Sequence, residues 1–223
     1  LDENFSLYAL DLPGHGKSGK ANDPQKNYTL KGLGKIVAEI ISALSLKEYI
    51  IVTLSLSGNL IGECVDDLKG CKGILMAGAS LLGEKFPVAS LIIEHPYLHL
   101  LTAEKATKEE LEGYATYVMH APSRKRVSMF VNEYKKADPE FRKTLGIVLS
   151  QSDYSDEVEK LKKSKIPLAL IYGKEEASVK PLYLKDAGFH LWGNKIHLIE
   201  KAGHLPNIDN PREFNKILLL FAN

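Results

Sequence analysis

The sequence predicts an α/β protein: a mostly parallel sheet with helices on both faces, and a helical segment inserted between two parts of that sheet. Three observations carry this reading. Apolar runs of strand length alternate with amphipathic helical patterns up to about residue 83 and again from residue 166, the pattern of parallel strands joined by crossover helices. Between those stretches, residues 84–165 read as successive helices with no clear strand. A β-branched run ending at Leu54 passes directly into a serine-bearing turn and then a helix.

Taken in order, Phe5 to Leu10 has the apolar character of a buried strand, stopped by Asp11-Leu12-Pro13-Gly14. The stretch to Tyr28 is rich in Gly, Lys, Asn and Pro and reads as a loop. Thr29 is placed to cap a helix, and Leu33, Ile36, Val37, Ile40, Ile41 and Leu44 follow at helical spacing. Tyr49 to Leu54 is a strand, the helix after the turn runs from about Asn59 to Leu68, and Gly73 to Ala77 is another short apolar strand. In the inserted stretch, Thr107 with Glu110 forms the S/T-x-x-E pattern of a capping box, and Asp138-Pro139 marks a helix start. Strands resume at Pro167 to Tyr172 and Lys195 to Ile199, and a helix from Pro211 to about Phe221 closes the chain. The organisation expected is a first core part (1–83), a helical cap insertion (84–165) and a second core part (166–223).

Composition narrows the classes of function. Hydrophobic residues make up 44% of 223, enough for one sizeable core and too many for a disordered chain. The 29 basic and 28 acidic residues give a net charge of +1. That balance gives no reason to expect a nucleic acid or an anionic membrane as partner. The basic clusters Arg124-Lys125-Arg126 and Lys160 to Lys165 are short and lie beside acidic residues, as on solvated helix faces. Cys64 and Cys71 make no disulfide framework, and a reduced, cytoplasmic setting fits them. No apolar run approaches the length of a membrane span. There is no Gly-rich phosphate loop and no pair of Cys or His at metal spacing, so the expectation is a small-molecule substrate with no cofactor and no metal. The oligomeric state is left open.

Four segments carry chemistry. In Leu10-Asp11-Leu12-Pro13-Gly14-His15-Gly16-Lys17-Ser18, a strand runs into a tight turn. In Ile50 to Asn59, an apolar strand meets a helix through a turn with Ser55 at its apex. A helix N-terminus behind such a serine favours negative charge developing there. Ser57 is the alternative serine, two residues further on. In Ile166 to Glu176, a strand ends in Gly173-Lys174-Glu175-Glu176, and in Ile199 to Pro211, a strand leads to Ala202-Gly203-His204-Leu205-Pro206.

In this order the four segments resemble the α/β-hydrolase superfamily: its D-x-P-G-H-G-x-S loop, its G-x-S-x-G nucleophile elbow, its strand ending in G-x-x-D, and its A-G-H-x-P loop before the last helix. The resemblance spans Leu10 to Pro211 except the insertion. It departs from the pattern at the elbow, where Thr53 and Ser57 replace both glycines, and at the acid, where Glu176 stands for Asp. It implies Ser55 as nucleophile, His204 as general base and Glu176 as the acid that orients it. It also implies the Leu56 backbone N–H as one oxyanion donor, and His15 as a loop-organising residue. Some relatives carry the acid after the preceding strand, which would put it at Glu84. Glu175 is expected to point elsewhere. The remaining histidines, at 95, 99, 120, 190 and 197, have no such context. Leu91, Ile92, Tyr97, Leu98, Tyr114, Tyr117, Met119 and Phe130 are divided between insertion core and substrate pocket in a way the sequence leaves open.

The activity implied is hydrolysis of an ester or related carbonyl compound through an acyl-enzyme. A serine at the elbow disfavours dehalogenase and epoxide hydrolase chemistry, which use a carboxylate there. Carbon–carbon bond hydrolysis or perhydrolysis on the same three residues stays open, as does a catalytically degenerate hydrolase-like protein that only binds a ligand. The resemblance also makes Phe5–Leu10 the fourth strand of the family's sheet, with the first strands and the second oxyanion donor upstream of this sequence. The strand would then face a gap beside Tyr49–Leu54, exposing Leu33, Ile36 and Ile40.

Overall fold

The computed structural model describes residues 5–223. Among them a four-stranded parallel sheet has the order β1-β2-β3-β4, formed by β1 (Tyr49–Leu54), β2 (Cys71–Ala77), β3 (Leu168–Gly173) and β4 (His197–Ile199). Helices α1 (Pro24–Asn27) and α2 (Leu30–Ala43) precede β1, and α3 (Ser57–Cys64) with a 3₁₀ turn at Val65–Asp67 joins β1 to β2. Between β2 and β3 lie α4 (Val88–Leu91), α5 (Lys108–Val118), α6 (Arg124–Lys136), α7 (Pro139–Gln151) and α8 (Glu157–Ser164). Helices α9 (Pro206–Asp209) and α10 (Pro211–Ala222) follow β4.

The alternation of side chains along a strand divides the interior in two. Ile74 and Met76 of β2 and Leu168, Leu170 and Tyr172 of β3 face a large cluster with α2, α3 and α8. Leu75, Ala77, Ala169 and Ile171 face the other way, onto Phe214 and Leu218 of α10. A third cluster joins Leu111, Tyr114, Ala115 and Val118 of α5 to Val131 of α6 and to Leu205, the residue after His204. The 84–165 stretch therefore packs in two ways: α5 and α6 build their own cluster, while α7 and α8 contribute Phe141, Leu145, Val148, Val158 and Leu161 to the main core.

Local signals act where they stand. Thr29 accepts from Gly32 N–H at the start of α2, Thr107 and Glu110 form a full capping box on α5, and Asp138 caps α7. The strands and helices lie within a few residues of their expected bounds, with two differences. The helix expected over Asn59–Leu68 starts at Ser57 and gives way to the 3₁₀ turn at Val65. The strand expected over Lys195–Ile199 is confined to His197–Ile199.

The expected strand over Phe5–Leu10 is not formed. The segment carries no ladder bonds, and Leu7, Tyr8 and Leu10 are 69%, 59% and 42% exposed. A strand exists only through a neighbour's backbone, and among the described residues none pairs with this segment. Nor does the face of α2 lie bare: Leu33 is fully buried and Val37 nearly so, with Ile36 and Ile40 half-covered. The loop after it keeps its own organisation. Asp11 accepts from Lys17 N–H at 2.9 Å, His15 Nδ1 lies 3.1 Å from Pro13 O, and its ring meets Phe141 edge-on at 4.7 Å. His15 thus holds loop to helix, as expected of it.

Candidate active site

Ser55 sits at the end of β1 with φ 51°, in the left-handed region that side chains avoid. Its N–H donates to Ala77 O at 2.8 Å, which extends the β1–β2 ladder by one residue. Its carbonyl accepts from Gly58 N–H at 2.8 Å, and Leu56 O accepts from Asn59 N–H at 3.0 Å. The Leu56 N–H takes no part in these turn bonds. The two residues that replace the usual glycines differ in how they fit. Thr53 is buried, and its Oγ1 has no hydrogen-bond partner among the described residues. Ser57 Oγ accepts from Leu54 N–H at 2.8 Å and donates to Leu54 O at 2.7 Å, closing the turn on itself. That engagement takes Ser57 out of consideration as the exposed hydroxyl.

Three of the predicted site residues meet. His204 Nε2 lies 2.8 Å from Ser55 Oγ, and His204 Nδ1 lies 2.9 Å from both Glu176 Oε1 and Oε2. A carboxylate can only accept, so Nδ1 carries the hydrogen and Nε2 presents its lone pair to the serine hydroxyl. The Glu176 side chain is fully buried and that of His204 is 9% exposed. Glu176 Oε1 also accepts from Ser178 N–H at 2.8 Å, which fixes the carboxylate independently of the imidazole. Glu175 points away, to His120 Nδ1 at 2.5 Å, and Glu84 is exposed.

Two glycines make room for this arrangement. A Cβ on Gly78, at the end of β2 with φ +55°, would lie 3.0 Å from His204 Cε1 and 3.1 Å from Nδ1. A Cβ on Gly173 would lie 2.0 Å from Ala202 O and 2.2 Å from Gly203 O. The histidine loop can therefore run against the end of β3 only because Gly173 has no side chain. Glu175 N–H donates to Ala202 O at 3.0 Å across the same contact.

Two further groups position the imidazole, and neither was singled out from sequence. Val118 O, at the end of α5, accepts from His204 N–H at 2.8 Å. Asp209 Oδ2 accepts from Gly203 N–H and His120 N–H, each at 2.9 Å. Asp209 stands in the quoted fourth segment, yet its bonds reach across to the end of α5, which no local pattern encodes. Behind the elbow, Glu157 of α8 is completely buried. Its Oε2 accepts from Asn59 Nδ2 at 2.7 Å and from Leu82 N–H at 2.8 Å. Burial pushes its carboxyl well above the usual carboxylate range, and the neighbouring Glu63 acts in the same direction.

Among the described residues no cluster of His, Cys, Asp and Glu could hold a metal ion, and no helix is long and apolar enough to cross a membrane. Cys64 and Cys71 are free thiols.

Comparison with known proteins places the chain in a family. Residues 1–217 match the sequence model described as "Alpha/beta hydrolase family". The chain is 26% identical over 215 residues to the uncharacterized hydrolase YugF of Bacillus subtilis (strain 168), covering 95% of this chain and 78% of that protein. It is 25% identical over 244 residues to the pimeloyl-[acyl-carrier protein] methyl ester esterase of Wigglesworthia glossinidia brevipalpis, covering 99% and 85%. Among solved structures, N-acyl homoserine lactonase AidH in complex with N-butanoyl homoserine superposes with a TM-score of 0.85 at 24% identity, over 94% of this chain and 76% of that one. An esterase from Exiguobacterium antarcticum superposes with a TM-score of 0.74 at 16% identity, over 94% and 78%.

Proposed function

Because the chain belongs to the alpha/beta hydrolase family, we propose that it is a serine hydrolase that cleaves esters, cyclic esters included, through an acyl-enzyme on Ser55, His204 and Glu176. One observation carries this reading: His204 Nε2 lies 2.8 Å from Ser55 Oγ while its other nitrogen is held by a buried carboxylate. That is the arrangement a weak hydroxyl needs to become a nucleophile.

The steps follow from the atoms in place. Ser55 Oγ bonds to the substrate carbonyl carbon as its proton passes to His204 Nε2. The carbonyl oxygen takes up the negative charge, and the Leu56 N–H, at the start of α3, is the donor this chain offers it. When the tetrahedral species collapses, the bond from carbon to the alcohol oxygen breaks and that oxygen receives the proton from His204 Nε2. Water then repeats the sequence in reverse roles: His204 takes a proton from water, the hydroxide oxygen bonds to the acyl carbon, and Ser55 leaves with the returned proton. Glu176 keeps the imidazole in one tautomer and stabilises its transient positive charge. We assign the substrate pocket to the cap insertion, residues 84–165, and within it to the α4–α6 part that packs beside His204. The same residues would serve a carbon–carbon bond hydrolase or a perhydrolase, which differ in pocket and not in nucleophile.

The test is labelling with a fluorophosphonate, which reacts only with an activated serine. Labelling of the intact chain that disappears in Ser55→Ala and persists in Ser57→Ala is the expected result. An unlabelled protein that hydrolyses no member of an ester library would overturn the proposal and favour a binding protein.

A further inference from the structure

Asn59 lies in the first turn of α3, just beyond the elbow, and is 1% exposed. Its main-chain N–H donates to Leu56 O at 3.0 Å, within the turn itself. Its side chain engages both amide hydrogens and the carbonyl oxygen. Nδ2 donates to Ser80 O at 2.8 Å and to Glu157 Oε2 at 2.7 Å, while Oδ1 accepts from Ser80 Oγ at 2.7 Å. Two acceptors on one side and a hydroxyl on the other leave the amide one orientation.

These partners belong to two other segments. Ser80 stands in the exit of β2, the stretch that begins at Gly78, whose missing side chain admits the His204 ring. Glu157 opens α8 and is tied to the same exit by a reciprocal pair. Its N–H donates to Leu82 O at 2.9 Å, and Leu82 N–H donates to its Oε2 at 2.8 Å. Tyr172 Oη donates to Ala79 O at 2.9 Å and Tyr183 Oη to Leu81 O at 3.0 Å, so the exit is held along its length. The bond from Ser55 N–H to Ala77 O joins the strand side of the elbow to this segment. Asn59 joins the helix side. The turn is therefore pinned on both flanks to the stretch against which the imidazole rests.

We infer that Asn59 is a positioning residue of the proposed reaction. It sets the elbow, and with it Ser55 Oγ and the Leu56 N–H, against the β2 exit beside His204, and Glu157 holds Asn59 in the orientation that does so. This rests on the serine hydrolase reading above. The physical need is distance. The hydroxyl, its base and the oxyanion donor must keep their spacing as charge builds, and a misplacement of about 1 Å costs about 100-fold in rate. Asn59 is closed off from solvent and so meets no substrate. Its loss therefore acts on the maximal rate and leaves ground-state binding unchanged. Burial favours the protonated Glu157 carboxyl, whose shape and neutrality glutamine reproduces.

The experiment follows fluorophosphonate labelling of Ser55 against probe concentration, which separates the maximal rate from the concentration that gives half of it. Circular dichroism sets a temperature at which each variant is folded. Asn59→Ala is expected to lower the maximal rate by about 10–100-fold, with the half-saturating concentration within about threefold of the wild type. Glu157→Ala should do the same, and the double variant should be no worse than either, because the two residues act as one unit. Glu157→Gln should stay within about twofold of the wild type, since the neutral side chain keeps its oxygen for Asn59 and Leu82. Ser80→Ala removes one bond to Asn59 and leaves the others, and should cost about 3–10-fold. A folded Asn59→Ala that labels at the wild-type rate, or that loses only probe affinity, would overturn the inference while the hydrolase reading stands. So would additive losses in the double variant, or a Glu157→Gln protein as slow as Glu157→Ala. If neither alanine variant folds, Ser80→Ala decides: a wild-type rate there would make the network purely structural and overturn the inference. If the wild type is not labelled at all, the hydrolase reading itself fails and this assignment with it.

Discussion

Ser55 holds a backbone conformation that glycine would adopt more easily. A left-handed non-glycine residue costs on the order of 1–3 kcal/mol, which the bonds to Ala77 O and from Gly58 N–H must offset. Ser55→Gly should therefore unfold at a higher temperature than Ser55→Ala, by about 1 kcal/mol in stability. Equal melting temperatures would mean that the turn is relaxed. The proposed chemistry makes its own prediction for these residues. Ser55→Ala and His204→Ala should each lower kcat/KM by about 10⁵–10⁶-fold, with the double variant little worse than either, because the pair acts as one unit. Glu176→Gln should lose less, about 10⁴-fold, since it removes an orienting charge and leaves both bond-making atoms. Additive losses in the double variant would sink the assignment. His204 was legible in sequence because Gly203, Leu205 and Pro206 surround it. Gly78 was not, because its reason for being glycine is an imidazole 126 residues away in the chain, 3.0 Å from where its Cβ would be.

Helix α8 links the pH of the solution to the helix behind the elbow. In the unfolded chain Glu157 ionises near its ordinary 4.5, whereas in the folded protein burial keeps its proton to higher pH. Between those two values the folded protein binds the extra proton, so the stability this group gives is complete below about pH 4.5 and declines as the pH rises toward the folded value. Glu157→Gln keeps the shape and cannot ionise. Thermal unfolding from pH 5 to pH 8 should thus show a larger fall in melting temperature for the wild type than for the variant; parallel curves would mean that Glu157 does not couple stability to pH. Element boundaries show what a sequence can declare for itself. Thr29, Thr107 and Asp138 announce helix starts by capping groups within three residues. The α8 packing against α3 was hidden, because Glu157 reads as one more charge on a charged helix until Asn59 and Leu82 are brought to it.

At the scale of the whole fold, β2 and β3 are shared by the clusters on the two faces of the sheet, while among the described residues β1 has a strand on one side only and Val52 is 44% exposed. Amide exchange should be slowest in Ile74–Ala77 and Leu168–Ile171 and fast in Leu7–Leu10, with β1 between them. Slow exchange at Leu7–Leu10 would contradict the open disposition of that segment. The same contrast bears on Phe5–Leu10, which the sequence reading expected as a strand beside a gap and which carries no ladder bonds. Its composition is that of a strand, but pairing is a property of two segments, and apolar character in one says nothing of whether the other is beside it. The bond from His204 N–H to Val118 O has a consequence for how far this protein can be re-engineered. Loops and inserted helices are the usual places to transplant a new specificity onto an old scaffold. Here the transplant boundary would cut through the support of the proposed base, since a graft ending before Val118 must supply a carbonyl at the same point or leave the His204 N–H buried and unpaired. A specificity swap in this chain therefore has to carry the C-terminal turn of α5 as part of the machinery, and treat only the stretch before it as exchangeable.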